Sequence, residues 1–268
     1  FALNTYKDDP CTCFKLKGSN ELNQYEVEVN LKMHKAISII QFKAEGQLIK
    51  EHPEYHMEQR NLLHRIDYEH GTITMDMPDE NGNLVPHTYT LLDNNFPTID
   101  PKDPYAYTPI EADIMDRLSK AFLNCEKLQQ HMRFLLAKGS LYKVYNGNLL
   151  YHGCIPLNRD GSFKAVDIYG QNYKGKSLYE CLDGYVRKAF MAVDPAERAK
   201  GRDICWYIWL HQDSPLFGKD KMATFERYFL ADKETHREEK NPYYSMLEDE
   251  DTVGRILEEF GLPPQEGH

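Results

Sequence analysis

Hydrophobic residues recur at helical spacing over a long stretch near the start of the chain. Between Leu22 and Lys50 they follow three- and four-residue steps, and Pro53 comes next. This pattern predicts one long helix that ends before the proline. The hydrophobic positions of this pattern are Met33, Ile37, Ile40, Ala44 and Leu48. We interpret them as a face that packs into a core.

A second long helix has a clear start signal. Thr108 suits the N-cap, Pro109 the first helical position, and Glu111 the third residue of a capping box. Hydrophobic residues then follow at helical spacing, at Met115, Leu118, Phe122, Cys125 and Leu128. Gly139 suits the end of this helix. The sequence therefore predicts one continuous helix up to Gly139, with its hydrophobic stripe packed.

Alternating residues predict strands in two places. Residues 72–75 and 88–91 alternate, and Asn81-Gly82 between them is a strong hairpin signal. Residues 142–145 and 149–151 form a second pair, joined by Asn146-Gly147-Asn148. Glycines 161 and 170 indicate further strands and turns. Additional helices are predicted at residues 57–65, 178–191, 196–210, 222–230 and 252–260.

These elements predict an α+β fold in two parts. Residues 1–138 form a mostly helical part with one β-hairpin, and residues 139–268 form a mixed part. The chain has 268 residues, of which 41% are hydrophobic, enough for one large or two modest domains. It begins with Phe1 and lacks an initiator methionine, so we expect a fragment of a longer protein.

The net charge of the chain limits the kinds of molecule that it is expected to bind. The formal net charge is −10, which argues against nucleic acid and anionic membranes as partners. A local basic pocket for a phosphorylated small molecule remains compatible with this charge. The six cysteines follow no secretory signal, which favours reduced thiols in a cytoplasmic protein. Cys11-x-Cys13 lacks the second Cys/His pair of a zinc site.

Several catalytic motifs are excluded by spacing. A phosphate-binding loop would need glycine where Asp213 stands, five residues before Gly218-Lys219. Cys154 and Arg159 have four residues between them, one fewer than a cysteine phosphatase loop requires. No G-x-S-x-G or H-E-x-x-H motif occurs.

Two segments carry candidate chemistry. His152 follows the hydrophobic run Leu149–Tyr151 and precedes Gly153, a pattern that places an imidazole at a strand end. The segment Ser214–Lys221, here called the lysine turn, presents Lys219 and Lys221 as a candidate phosphate cradle before a predicted helix that also carries Arg227. The alternatives, an ordinary strand end and a solvated charged turn, stay open from the residues alone.

Longer strings carry a resemblance to a known family. The strings are LLYHGCIPLN from Leu149, WYIW from Trp206, SPLFGKDKMATFERYF from Ser214, DKETH from Asp232, KNPYY from Lys240, MHKAISIIQFK from Met33 and NFPTIDP from Asn95. From about Leu31 onwards they resemble class III fructose-1,6-bisphosphatase of bacteria, a branch of the calcineurin-like metallophosphoesterases.

The resemblance implies a fold and a chemistry. The fold is a partial β-sandwich flanked by helices, with a mostly helical insertion at the N-terminal side. The activity is hydrolysis of fructose 1,6-bisphosphate by a dinuclear manganese (Mn²⁺) site. The resemblance implies that His152 is a metal ligand and that Asp203 supports the site. It leaves Lys219, Lys221 and Arg227 as candidates for substrate binding.

The departures from the family limit this expectation. The motifs G-D-x-H-G, G-D-x-x-D-R-G and G-N-H-[DE] are absent from the chain. His268 matches a histidine just before a further metal motif, so we expect a middle fragment that is inactive alone. Two other functions stay open: a non-catalytic sugar-phosphate-binding or interaction module, and a metallophosphatase for another substrate. A homo-oligomer is also left open.

Overall fold

The computed structural model describes residues 1–16 and 21–263, and these form a mixed α+β structure. The helices are α1 (Ala2–Thr5), α2 (Gln24–Glu51), α3 (Pro109–Leu123), α4 (Glu126–Lys138), α5 (Gly175–Met191), α6 (Pro195–Leu210), α7 (Thr224–Phe229) and α8 (Glu250–Glu259). The strands are β1 (Ile66–Asp67), β2 (Thr72–Pro78), β3 (Leu84–Thr90), β4 (Tyr142–Tyr145), β5 (Asn148–Tyr151), β6 (Val166–Ile168) and β7 (Gln171–Tyr173). His268 lies outside the described residues. None of the described helices has the length and hydrophobicity that a membrane crossing requires.

The strands form three small antiparallel sheets. One has the order β1-β2-β3, with Ile73 opposite Tyr89, and the others are the pairs β4-β5 and β6-β7. Both predicted hairpins, β2-β3 and β4-β5, are confirmed. No β-sandwich occurs within the part of the chain that the structure describes, so only the α+β class is confirmed.

The first long helix is confirmed, but its predicted core face is only partly correct: of the predicted positions Ile40 is buried, whereas Met33 and Ile37 are exposed. Asn23 caps α2 and Glu26 completes a capping box. Met33 and Ile37 are 55% and 44% exposed. The buried positions on α2 are Lys32, Lys35, Ala36, Ser38, Ile39, Ile40, Lys43, Gly46 and Ile49.

Buried lysines explain the error on α2. The Lys35 ammonium lies 2.5 Å from an Asp9 oxygen and 2.6 Å from an Asp93 oxygen. The Lys43 ammonium lies 2.7 Å from the Glu111 carboxylate. Burial of an ammonium group is tolerated when a carboxylate compensates its charge. A hydrophobicity pattern cannot identify lysines that face a core in this way.

The prediction of the second long helix is confirmed at its start and is wrong in its middle. Thr108, Pro109 and Glu111 hold the predicted positions. The helix ends at Leu123, and a new one begins at Glu126. Phe122, predicted to pack, is 65% exposed. Residues 57–65 form short 3₁₀ turns where we predicted a helix.

The chain divides into two compact units. The first contains residues 1–124 and 223–237, and the second contains residues 125–222 and 238–268. The first unit's core includes Tyr6, Ile39, Ile73 and Phe229. The division differs from the single boundary predicted near residue 138. The assignment of these parts to an insertion and to a phosphoesterase domain stays a prediction.

The second unit contains three helices whose prediction is confirmed. Its helices α5, α6 and α8 lie within a few residues of their predicted bounds. A core of Cys154, Ile155, Tyr179, Ile256 and Phe260 lies beneath the end of β5. The Tyr179 hydroxyl donates to the Cys154 carbonyl over 2.9 Å. The segment after His152 is therefore anchored in a packed core.

Candidate functional site

His152 lies at the strand end that the sequence predicts. It follows Tyr151, the last residue of β5, and its side chain is exposed. Gly153 has a φ of +87°, and a Cβ there would lie 2.1 Å from the Pro215 carbonyl oxygen. Only glycine combines that backbone conformation with so close an approach. The turn therefore holds His152 at the surface beside the lysine turn.

The two segments singled out from the sequence are packed together. The Cys154 N–H donates to the Pro215 carbonyl over 2.7 Å. Gly218 has a φ of +66°, and a Cβ there would lie 3.2 Å from the Cys154 sulfur and 2.8 Å from the Tyr244 hydroxyl oxygen. The His152 turn, the lysine turn and the region of Tyr244 thus form one neighbourhood in the second unit.

A third segment, residues 238–246, completes this neighbourhood. Lys219 and Lys240 form an antiparallel bridge, and the Asn241 N–H donates to the Gly218 carbonyl over 3.0 Å. The Lys219 ammonium lies 2.6 Å from the Glu238 carboxylate. This carboxylate offsets the charge that Lys219 would offer to a phosphate.

A cavity of about 500 Å³ opens next to this bridge. It is lined by Arg159, Glu239, Lys240, Asn241, Pro242, Tyr244, Ser245 and Met246. We call these residues the Lys240 cavity. Sequence reasoning missed it because its two cations are far apart along the chain. The one signal in the sequence was Lys240, a basic residue directly before the turn at residues 241–244.

The other predicted site residues lie elsewhere. Lys221 is half-buried in the lysine turn, and α7 starts only at Thr224. Arg227 belongs to the first unit, where its guanidinium donates to the His236 carbonyl over 3.2 Å. Asp203 is half-buried within α6. The structure thus brings His152, Lys219 and Lys221 into one unit, whereas Arg227 belongs to the other.

Burial makes the cysteine of this neighbourhood inert. Burial raises the pKa of Cys154 to about 12, with a smaller contribution from the Asp213 carboxylate. The thiol therefore stays protonated at neutral pH and is a poor nucleophile. This agrees with the spacing argument against a cysteine phosphatase loop. All six cysteines are free in the structure, and their reduced state in the cell stays a prediction.

The described residues do not fit a complete manganese site. A dinuclear site needs several carboxylate and imidazole ligands close together. Within residues 1–16 and 21–263, no group of three or more His, Cys, Asp or Glu side chains is placed to hold a metal ion. His152 can offer a single imidazole, so the remaining ligands would have to come from outside these residues.

Comparison with known proteins gives a consistent result. The family model described as "Firmicute fructose-1,6-bisphosphatase" matches residues 1–268. A "Fructose-1,6-bisphosphatase class 3" of Clostridium novyi (strain NT) is 49% identical over 100% of this chain and 39% of its own length. Proteins with the same description in Alkaliphilus metalliredigens (strain QYMF) and Listeria innocua serovar 6a are 50% and 47% identical, each over 100% of this chain and 40% of their length. The chain therefore spans about two fifths of these relatives. No solved structure matches.

Proposed function

This chain belongs to the Firmicute fructose-1,6-bisphosphatase family, and from that premise we propose that it forms part of an enzyme that hydrolyses fructose 1,6-bisphosphate to fructose 6-phosphate and phosphate. The observation that carries the proposal is the family match over residues 1–268. The packing of the His152 turn against the lysine turn supports it, since a phosphatase needs a metal ligand and phosphate-binding cations near each other.

Within this proposal, the chain supplies one wall of the active site. His152 provides one ligand to manganese, and Asp203 supports the site from α6. Lys219 and Lys221 are the proposed substrate-binding cations in the second unit, and the role of Arg227, which belongs to the first unit, stays a prediction. The rest of the polypeptide completes the β-sandwich and supplies the other metal ligands. The enzyme would work in the cytoplasm, where free thiols such as those of this chain persist.

The decisive variant is His152→Ala in the complete polypeptide. We expect bound manganese to fall and phosphate release from fructose 1,6-bisphosphate to drop at least about a hundredfold, since loss of a metal ligand removes a direct bond to the ion. Metal content is measured by atomic absorption. His131→Ala is the matched control, because His131 is also exposed and lies in the same unit. Unchanged metal content and rate in His152→Ala would remove His152 from the site.

The cations and hydroxyl groups near the lysine turn support a second candidate function. The described residues offer cations and hydroxyl groups near the lysine turn, but no group of metal ligands. That combination suits a module that binds a sugar phosphate without hydrolysing it. The complete polypeptide separates the candidates: manganese-dependent phosphate release favours the enzyme, and binding without release favours the module. A third candidate, a phosphatase for another phosphorylated compound, is tested by screening sugar phosphates.

Whether residues 1–268 alone have phosphatase activity can also be tested. We expect purified residues 1–268 to release no phosphate from fructose 1,6-bisphosphate with manganese, since they hold at most one proposed ligand. Release at the rate of the complete polypeptide would show that residues 1–268 contain a whole site.

A further inference from the structure

We propose that the Lys240 cavity binds the phosphate group of the sugar bisphosphate that is not cleaved. This inference rests on the proposed function and deepens it, because it assigns a subsite to the 6-phosphate of fructose 1,6-bisphosphate. The cavity, of about 500 Å³, is large enough for a phosphorylated sugar.

Hydrogen-bond donors without a protein acceptor line this cavity. Among the described residues, no acceptor lies within hydrogen-bond reach of the Lys240 ammonium, the Asn241 side-chain amide or the Tyr244 hydroxyl. A phosphate group presents several acceptor oxygens and no obligatory donor. Three unengaged donors around one cavity therefore match its chemistry.

The donors are held in place before a ligand arrives. The side-chain oxygen Oδ1 of Asn241 accepts from the Leu157 N–H over 3.2 Å and from the Tyr243 N–H over 3.0 Å. These two bonds fix the side-chain amide and leave its NH₂ group for a ligand. The Lys240 ammonium lies 5.5 Å from the centre of the Tyr244 ring, which favours a defined position for the cation. Such preorganisation reduces the entropy lost on binding.

The charge of the lining also favours an anion. Arg159 and Lys240 contribute two positive charges, and Glu239 contributes one negative charge. The cavity is thus net positive in a chain whose net charge is −10. An Arg159 nitrogen lies 3.6 Å from a Glu239 oxygen, and both side chains are mostly exposed. Exposed pairs of this length are weak, so Arg159 can turn towards a phosphate at little cost.

Lys240 is better suited to this role than Lys219. The Lys219 ammonium is paired with Glu238, whereas Lys240 has no ion-pair partner in the part of the chain that the structure describes. The cavity lining has a single carboxylate and no imidazole, so it does not offer the ligand set of a metal site. A phosphate in this cavity would be bound and not hydrolysed.

The test compares two substrates in the complete polypeptide. Fructose 1,6-bisphosphate carries the phosphate that the cavity would hold, and fructose 1-phosphate lacks it. We expect Lys240→Gln and Arg159→Gln each to raise KM for the bisphosphate about tenfold or more, with kcat changed less than about twofold, because a uniform binding contact is lost. For fructose 1-phosphate we expect no change in KM. Lys143→Gln, an exposed lysine on β4, is the matched control.

The outcomes separate this inference from the proposed function. An equal rise in KM for both substrates, or no rise for either, would overturn the cavity as the 6-phosphate subsite. Wild-type protein without phosphatase activity would overturn the proposed function instead. In that case calorimetric titration with fructose 1,6-bisphosphate still tests the cavity. Binding that Lys240→Gln weakens about tenfold supports it, and unchanged binding refutes it.

Discussion

The Nζ atom of Lys43 lies 2.7 Å from Oε2 of Glu111, and both side chains are completely buried. The same carboxylate oxygen accepts the Thr108 N–H over 2.8 Å, which makes it part of the cap of α3. Lys43 also donates to the Thr98 carbonyl over 2.6 Å. One carboxylate therefore connects the middle of α2 with the start of α3. This connection explains why a lysine occupies a core position.

Lys43→Met should destabilise the first unit by about 3 to 5 kcal/mol, because it leaves the Glu111 carboxylate buried without a counter-charge. The double variant with Glu111→Gln should lose less than the sum of the two single variants, since neither charge then remains unpaired. Hydrogen exchange of α2 peptides at increasing urea concentration measures these differences. Lys50→Met, at an exposed position of α2, is the control and should change little. Additive effects in the double variant would contradict the pairing.

The Asp9 carboxylate should make the first unit sensitive to acid. Burial alone would raise the pKa of Asp9, but hydrogen bonds from the Lys35 ammonium and the Cys11 N–H together hold it below its ordinary 3.8. Because the folded-state pKa is the lower one, this stabilisation is present above about pH 4. It is lost as the pH falls through the folded value. Exchange of α2 amides from pH 7 to pH 3 would show the loss, and Asp9→Asn should flatten the profile. An unchanged profile in that variant would exclude Asp9 as the source.

Gly153→Ala should be much more harmful than Gly147→Ala. Both glycines have positive φ, at +87° and +73°. A Cβ at Gly147 meets no atom within 4 Å, whereas one at Gly153 would lie 2.1 Å from the Pro215 carbonyl oxygen. We expect Gly147→Ala to cost about 1–2 kcal/mol for backbone conformation alone. Gly153→Ala should cost at least twice as much. Trp206 and Trp209 both lie in α6, so their fluorescence during urea unfolding reports on the second unit. Equal costs would contradict the described contact.

The cysteines should react with a maleimide in an order set by burial. Cys125 is exposed and should be modified first. Cys11 and Cys154 are fully buried, and burial raises the pKa of each thiol to about 12. We expect them to react at least about a hundredfold more slowly than Cys125, because the thiolate is the reactive form. Mass spectrometry of peptides over time measures the order. In urea the difference should disappear, and rapid labelling of native Cys154 would contradict its burial.

Local signals predicted most of the secondary structure. The capping box at Thr108 and the Asn-Gly turns depend on neighbours in the chain, and these predictions were confirmed. The buried face of α2 could not be predicted, because Lys35 faces the core only when Asp9 and Asp93 lie beside it. Those partners are distant in sequence. The break between α3 and α4 likewise has no proline or glycine to mark it.

The candidate site was predictable in its parts but not in its assembly. His152 and the lysine turn each carry a local pattern, and the structure places their segments in contact. Arg159 and Lys240 carry no such pattern, since they share a cavity only because residues 239–241 pair with residues 218–220. The pairing of Lys219 with Glu238 could not be predicted either. Whether a lysine can bind a phosphate depends on such a carboxylate, which is distant in the sequence.

The first unit is completed by residues 223–237, whose Phe225, Phe229 and Leu230 belong to its core. On the ribosome, these side chains emerge only after all of residues 125–222 have been synthesised. The first unit therefore cannot finish folding before residues 125–222 of the second unit have been made. A protease cut or a premature stop before residue 223 would leave a hydrophobic gap in the first unit. Chaperones and proteases in the cell would then encounter a first unit whose hydrophobic core is partly exposed.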